Sequence, residues 1–332
     1  MAGSWVDWLD TARYAPSGHN TQPWLLEPLS DEEADLYYVP RRLLPVEDTT
    51  GRFTACFLGV FVEALNVAAA ADRKNVALAH QPGPVDLSAG VEPRLYGRLR
   101  VGDGATTDVD RTLLLHRRTS RLRYDGRLAP QTVVDELAAL ASGFGQEARF
   151  FADRETVDWV VGLNADTLFD DLEEDYRREE IGAWTHFSNR RAARARDGFS
   201  PRCLGFPGPL LWLFFDHHAV IRNPRRRGML RRIYLRSTRG TAQVGYLKAV
   251  WQTPRQCVDS GRLLMRFWLE LTRHGLVMHP FGSVITNERS HAALVERLGG
   301  SEADGEIWLL FRFGYSAIPP RSERLSSPDL VL

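Results

Sequence analysis

Ala15-Pro16-Ser17-Gly18-His19-Asn20-Thr21-Gln22-Pro23-Trp24 decides how this chain is read. An amphipathic run precedes it, with Trp5, Trp8, Leu9 and Ala12 at helical spacing, so residues 5–14 are predicted as a helix. Helical periodicity cannot pass through Pro16 and Gly18, and the chain must turn there. The turn then shows a hydroxyl, an imidazole, two carboxamides and an indole. Such side chains can satisfy their own backbone in an ordinary loop, or they can present donors and acceptors to a ligand.

The chain has 332 residues, long enough for two domains or one of double size. Hydrophobic residues make up 44% and charged residues 25%, as in an ordinary globular protein. The formal net charge is zero, so no whole-molecule field draws nucleic acid or an acidic membrane, and neither is expected as a partner. Lys74 and Lys248 are the only lysines, so any phosphate site would be built from guanidinium groups. Cys56, Cys203 and Cys257 lie far apart without CxxC spacing, which argues against a disulfide framework or a zinc site and fits a reducing cytoplasm. The N-terminus has acids where a signal peptide would have bases, and the apolar run from Pro209 to Phe215 is too short to cross a bilayer.

Beyond the opening loop, residues 25–27 and 35–39 read as strands, and Arg52 to Ala71 as a long helix with Gly59 open to close packing. Residues 75–78 and 94–101 read as strands, and 102–110 as a linker. A helix follows from Pro130, then a strand at 149–152 and a charged helical segment from Thr156 to about Arg196. Residues 197–209 read as a loop, and 210–215 as either a buried strand or a core helix turn. Arg222 to Arg239 holds eight arginines with no acid among them, consistent with a solvated basic face or a lid. Pro254 to Gly275 is helical, and Ile307 to Gly314 reads as a central strand. The two halves share an order of elements although their residues hardly match, a weak internal repeat.

Three further stretches carry chemistry. Arg117-Arg118-Thr119-Ser120-Arg121 offers guanidiniums and hydroxyls as a phosphate cradle, with solvated arginines at a helix end as the alternative. His274-Gly275-Leu276-Val277-Met278-His279-Pro280-Phe281-Gly282-Ser283 follows a helix. The tail carries the basic pair Arg321 and Arg324 after Gly314. His217-His218 lack an evident third ligand and read as a surface turn, no metal site is expected, and no glycine-rich dinucleotide fingerprint follows a strand.

The opening loop closely resembles the flavin-contacting loop of nitroreductase-like flavoproteins, Ala-Pro-Ser-x-x-Asn-x-Gln-Pro-Trp. The arginine cluster is similar to that family's Arg-Arg-Ser-x-Arg-x-Phe, with Thr119 for Ser and the aromatic, Tyr124, one place late. The resemblance implies an α+β, nitroreductase-like fold of two tandem halves, each with a mainly antiparallel sheet flanked by helices. The halves would span 1–108 and 109–332, with a candidate lid at about 179–246. Each half keeps a motif the other lacks, which resembles the Acg-type branch, a fused pseudo-dimer with one composite flavin site.

The resemblance further implies noncovalent FMN. Pro16, Ser17, Gly18 and Asn20 would cover the isoalloxazine edge. Arg117, Arg118, Thr119, Arg121, Arg321 and Arg324 would hold phosphate and ribityl. The segment Pro280, Phe281, Gly282 and Ser283 would offer a backbone N–H to flavin N5. His19 is a candidate proton donor, and no protein general base is assigned. The implied activity is FMN-dependent oxidoreduction of a small molecule by a monomer, with NAD(P)H as a candidate donor. A flavin-sequestering protein and a biosynthetic flavin dehydrogenase are the alternatives.

Overall fold

A computed structural model describes residues 3–79, 83–216, 222–299 and 305–332. Strands β1 (Trp24–Pro28), β2 (Glu33–Tyr38), β3 (Lys74–Leu78) and β4 (Arg94–Asp103) form one sheet in the order β1-β2-β4-β3. Strands β5 (Glu147–Phe151), β6 (Gln243–Ala249), β7 (Val277–Pro280) and β8 (Glu306–Gly314) form another in the order β5-β6-β8-β7. All neighbours pair antiparallel. The second order is the first shifted by four strands, so the faint repeat of the sequence is a repeat of topology. With helices beside both sheets, the fold class is α+β, as expected.

The chain forms two compact units: Met1–Arg117 with Trp251–Thr272 and Glu323–Leu332, and Arg118–Val250 with Arg273–Ser322. The first unit therefore recruits a late helix and the C-terminal tail. Its central helix, Arg52–Ala70, is almost wholly buried. Among the described residues it is the one helix long and apolar enough to cross a bilayer, and here it serves as a core helix. Asp48 starts it by accepting from Phe53 N (3.1 Å), Thr54 N (2.7 Å) and Thr54 Oγ1 (2.8 Å). Burial pushes the Asp48 carboxyl pKa up, while these hydrogen bonds pull it down.

The helix Pro254–Arg273 meets this core helix almost backbone to backbone. A Cβ on Gly59 would stand 2.1 Å from Val258 O, and one on Gly261 would stand 1.8 Å from Cys56 O. Close to this crossing Glu63, buried, accepts from Arg262 Nε at 3.0 Å and Arg266 Nη1 at 3.2 Å. Removing one partner of a buried pair is costly because the other charge stays in low dielectric.

In the second unit β8 lies between β6 and β7, as its apolar run predicted. Tyr246, Ile307, Leu310 and Phe281 pack with Val157 and Val160 of the helix Arg154–Glu173. Strand β6 was invisible in the sequence because Gly245 and Lys248 interrupt its apolar pattern. Lys248 is nevertheless buried, with its ammonium donating to Gly299 O at 2.9 Å. Any covering segment in the 179–246 region thus ends before Gln243. The predicted continuous helix to Arg196 is broken. Glu174 is extended, and separate helices follow at Asp175–Ala183 and Asn189–Ala195. The 197–209 stretch contains the short helix Pro201–Leu204, and 210–215 belongs to the helix Gly208–Asp216.

The arginine-rich stretch needs a larger correction. It forms the helix Pro224–Ser237, and its opposite charge comes from the helix Arg154–Glu173. Arg227 pairs with Asp170 at 2.6 Å and Glu173 at 2.5 Å, and Arg231 forks onto Asp166 at 2.5 and 2.9 Å. Acids some sixty residues away in sequence cannot be matched to these arginines without the fold. His217-His218 lie outside the described residues.

Substituting Gly261→Ala should cost about 1–3 kcal/mol by overpacking the helix crossing, read as a lower urea midpoint at unchanged m. A midpoint equal to the parent's would contradict a contact this close.

Candidate functional site

The opening loop is folded by strain and by the tail. His19, Asn20 and Gln22 have φ of 44°, 60° and 52°, in the left-handed region. Each costs about 1–3 kcal/mol unless its surroundings hold it there. Ser17 Oγ accepts from Gln22 N at 2.9 Å. Asn20 Nδ2 donates to Glu323 O at 3.0 Å, and Arg324 Nη1 donates to Asn20 Oδ1. Gln22 Oε1 accepts from Leu325 N at 2.9 Å, and Arg13 Nη1 donates to Leu325 O at 2.9 Å. The carboxamides that the sequence offered to a ligand therefore clamp residues 323–325 against the loop.

Other loop residues also make packing contacts. A Cβ on Gly18 would stand 2.9 Å from Leu44 Cδ1 and Phe57 Cε2, so packing accounts for glycine there. Trp24 is buried and stacks on Phe61 at 4.7 Å. His19 Nε2 lies 3.3 Å from Glu47 Oε1. Arg117 belongs to this unit as well. It is buried, stacks on Trp268 at 4.4 Å and donates from Nη2 to Tyr14 O at 3.3 Å. Of the residues predicted to bind cofactor, the first unit thus gathers Pro16, Ser17, Gly18, Asn20, Arg117 and Arg324.

The second unit holds Arg118, Thr119, Arg121, Pro280, Phe281, Gly282, Ser283 and Arg321. The segment from Thr119 runs beside β7: Thr119 bridges Met278, and Ser120 N donates to Met278 O at 3.0 Å. What holds this segment in shape carries no local signal in the sequence. It is Arg312, on β8 and 0% exposed. Its Nη2 donates to Ser120 O (3.4 Å) and Leu122 O (3.1 Å), Nη1 to Thr241 Oγ1 (3.2 Å), and Nε to His279 Nδ1 (3.3 Å). The guanidinium also stacks on Tyr124 at 4.4 Å. Those carbonyls flank Arg121, so Arg312 shapes the backbone that presents it.

Arg121 is half-buried, with its guanidinium 5.0 Å from the Phe199 ring centroid. Among the described residues, no carboxylate or carbonyl accepts a hydrogen bond from it. Burial lowers its pKa from the usual arginine value, with Arg312 adding to that and Cys203, Tyr234 and Tyr124 opposing it. Burial, then Arg121 and Arg312, hold His279 well below the ordinary imidazole value. Burial pushes Tyr124 up to about 12. Arg312 and Arg121 thus form a cationic cluster without a carboxylate partner among the described residues. A guanidinium there without a counter-charge favours an anion.

The Pro280–Ser283 segment is only partly as predicted. Phe281 is a core residue, and its N–H donates to Leu310 O at 2.8 Å, which takes it out of the donor set. Gly282 and Ser283 open the helix Gly282–Thr286, and Gly282 is exposed. Arg321 O accepts from Arg202 Nη2 at 3.2 Å.

No protein-family model matches the chain, and no curated protein matches it. Among solved structures the similarity is to nitroreductases. One is an FMN-dependent nitroreductase, NfnB, from Mycobacterium smegmatis in complex with NADPH, at 16% identity, covering 63% of this chain and 92% of that chain, with a TM-score of 0.36. Another is a nitroreductase with bound FMN from Bacteroides fragilis, at 12% identity, covering 64% and 90%, with a TM-score of 0.36. A nitroreductase-like family protein from Bacillus cereus is 12% identical, covering 68% and 94%, with a TM-score of 0.34. At these identities and scores they establish nothing about what this chain binds or catalyses.

The His279 environment gives a pH signature. Its folded pKa is depressed, so below about pH 6.5, the unperturbed value, the unfolded chain takes up a proton that the folded one refuses. Stability should be full above that pH and fall as pH drops. In urea titrations from pH 7.5 to 5, His279→Gln should lose less stability than the parent; equal slopes would refute the assignment.

Proposed function

We propose that this protein binds FMN and works as a nitroreductase-like, FMN-dependent oxidoreductase of the Acg-type branch. One observation carries the proposal. Arg121, where the motif resemblance expects a flavin-phosphate contact, is half-buried and has no acidic partner among the described residues. The donor set of guanidiniums, hydroxyls and backbone N–H groups fits a phosphate-bearing cofactor.

Arg118, Thr119, Arg121 and Arg321 are assigned to the phosphate and ribityl chain. Pro16 and Ser17 are assigned to the ring edge, and Gly282 and Ser283 to backbone donation at N5. Arg117 and Arg324 are likewise assigned to phosphate and ribityl, and Gly18 and Asn20 to the ring edge; Arg117, Asn20 and Arg324 also make hydrogen bonds that hold the opening loop in shape. When bound, FMN supplies the redox chemistry, passing hydride through N5. The chain's part is to hold the phosphate, orient the ring and exclude water. The halves at 1–108 and 109–332, a monomeric cytoplasmic protein, NAD(P)H as donor and a small organic substrate complete the proposal.

Phe199, stacked on Arg121 from within the candidate lid, favours a second reading as a flavin-sequestering protein with little turnover. Anaerobic stopped-flow mixing with NADH and NADPH separates the two. Rapid bleaching of bound FMN supports the enzyme, and FMN that neither nicotinamide reduces supports sequestration.

Purified protein should be yellow and release FMN on heat denaturation. Arg121→Ala should weaken FMN binding by about 1.5–3 kcal/mol, roughly 10- to 150-fold, as expected for a charged hydrogen bond to phosphate. Failure to take up added FMN, or unchanged affinity in the variant, would overturn the proposal.

A further inference from the structure

The strand beside the Arg121 segment carries one more donor. His279 lies on β7 and is 8% exposed. Its Nδ1 sits 3.3 Å from Arg312 Nε. A guanidinium donates and cannot accept, so Nδ1 must be the acceptor and carry no proton. In the neutral ring the proton is then on Nε2. Arg312 thereby performs two tasks with one side chain: it fixes this tautomer, and it grips the Ser120 and Leu122 carbonyls on either side of Arg121. The His279 ring packs edge-on to Phe281 at 5.3 Å and 79°, which limits its rotation.

Among the described residues no group bonds Nε2. The charged groups acting on the ring are Arg121 and Arg312, and both oppose a positive imidazole. The cluster's other titratable side chains are Tyr124, Tyr234 and Cys203. The bridge of Thr119 to Met278 and the bond from Ser120 N to Met278 O run the Arg121 segment alongside His279, and a neutral N–H donor near a guanidinium suits an anion that already has one cationic partner.

We infer that His279 is an anion-binding residue of the Arg121 pocket, donating Nε2–H to a phosphate-class anion, and that Arg312 is the positioning residue that sets its tautomer. The inference rests on the Arg121 pocket taking an anion, as proposed above. The phosphate could belong to FMN or be free in solution, and the two sources are tested separately.

The test uses the full chain with labelled histidine. Long-range 1H–15N spectra should show His279 neutral with the proton on Nε2 at pH 6, and adding pyrophosphate should shift that nitrogen. His279→Phe should weaken pyrophosphate and FMN binding about tenfold or more. His279→Gln, whose amide N–H replaces the donor, should stay within about threefold of the parent. A proton on Nδ1, a charged ring at pH 6, or a Phe variant that binds as tightly as the parent would overturn the inference. The wild-type spectra decide the tautomer even if a variant fails to fold. If pyrophosphate shifts Nε2 while FMN does not bind, the His279 role stands and the flavin proposal falls. If FMN binds through Arg121 while Nε2 and the Phe variant are unmoved, the His279 role falls and the flavin proposal stands.

Discussion

The second unit depends on a buried guanidinium with no acid beside it among the described residues. Arg312 is held by two carbonyls, a hydroxyl, an imidazole nitrogen and the face of Tyr124. Burying an ion costs several kcal/mol, and dipoles alone offset that only when their geometry is fixed. β8 supplies the rigidity, because it is hydrogen-bonded on both edges. The loop from Ser120 to Leu122 takes its form from this anchor, and the direction of Arg121 follows from that form. Among the described residues Arg121 has no counter-charge, and that makes this a candidate site.

The first unit works by close contact and clamping. Gly59 and Gly261 let two helices touch along their backbones, and Glu63 ties the helices with two arginines. The strained opening loop is held from the other side by the C-terminal tail. Leu332 N donates to Leu26 O at 2.9 Å, and Leu26 bridges Val331, so the clamp continues into the edge of β1. Three left-handed residues in a row of four can persist because this clamp leaves the loop no cheaper shape.

Much of the fold was legible. The long helices at Arg52–Ala70 and Pro254–Arg273 announce themselves by periodicity, and β8 by an unbroken apolar run. β6 was hidden because Lys248 finds its partner, Gly299 O, only in the fold. The ion pairs of Arg227 and Arg231 were hidden for the same reason. In the candidate site, Arg121 was singled out by its motif. Arg312 and His279 were not, since a lone arginine in a strand and a histidine before a proline carry no local signal.

The sequence by itself determined the element types, the tight turn at Pro16 and the residues rich in donors. Local sterics and apolar spacing are properties of neighbouring residues, so they can be read from a string. Only the tertiary structure decided which donors are engaged. It bound Asn20 and Gln22 to the tail, set Phe281 in the core and, among the described residues, left Arg121 without an acid. Whether a polar group is satisfied depends on atoms hundreds of residues away, and that distance is closed only by folding.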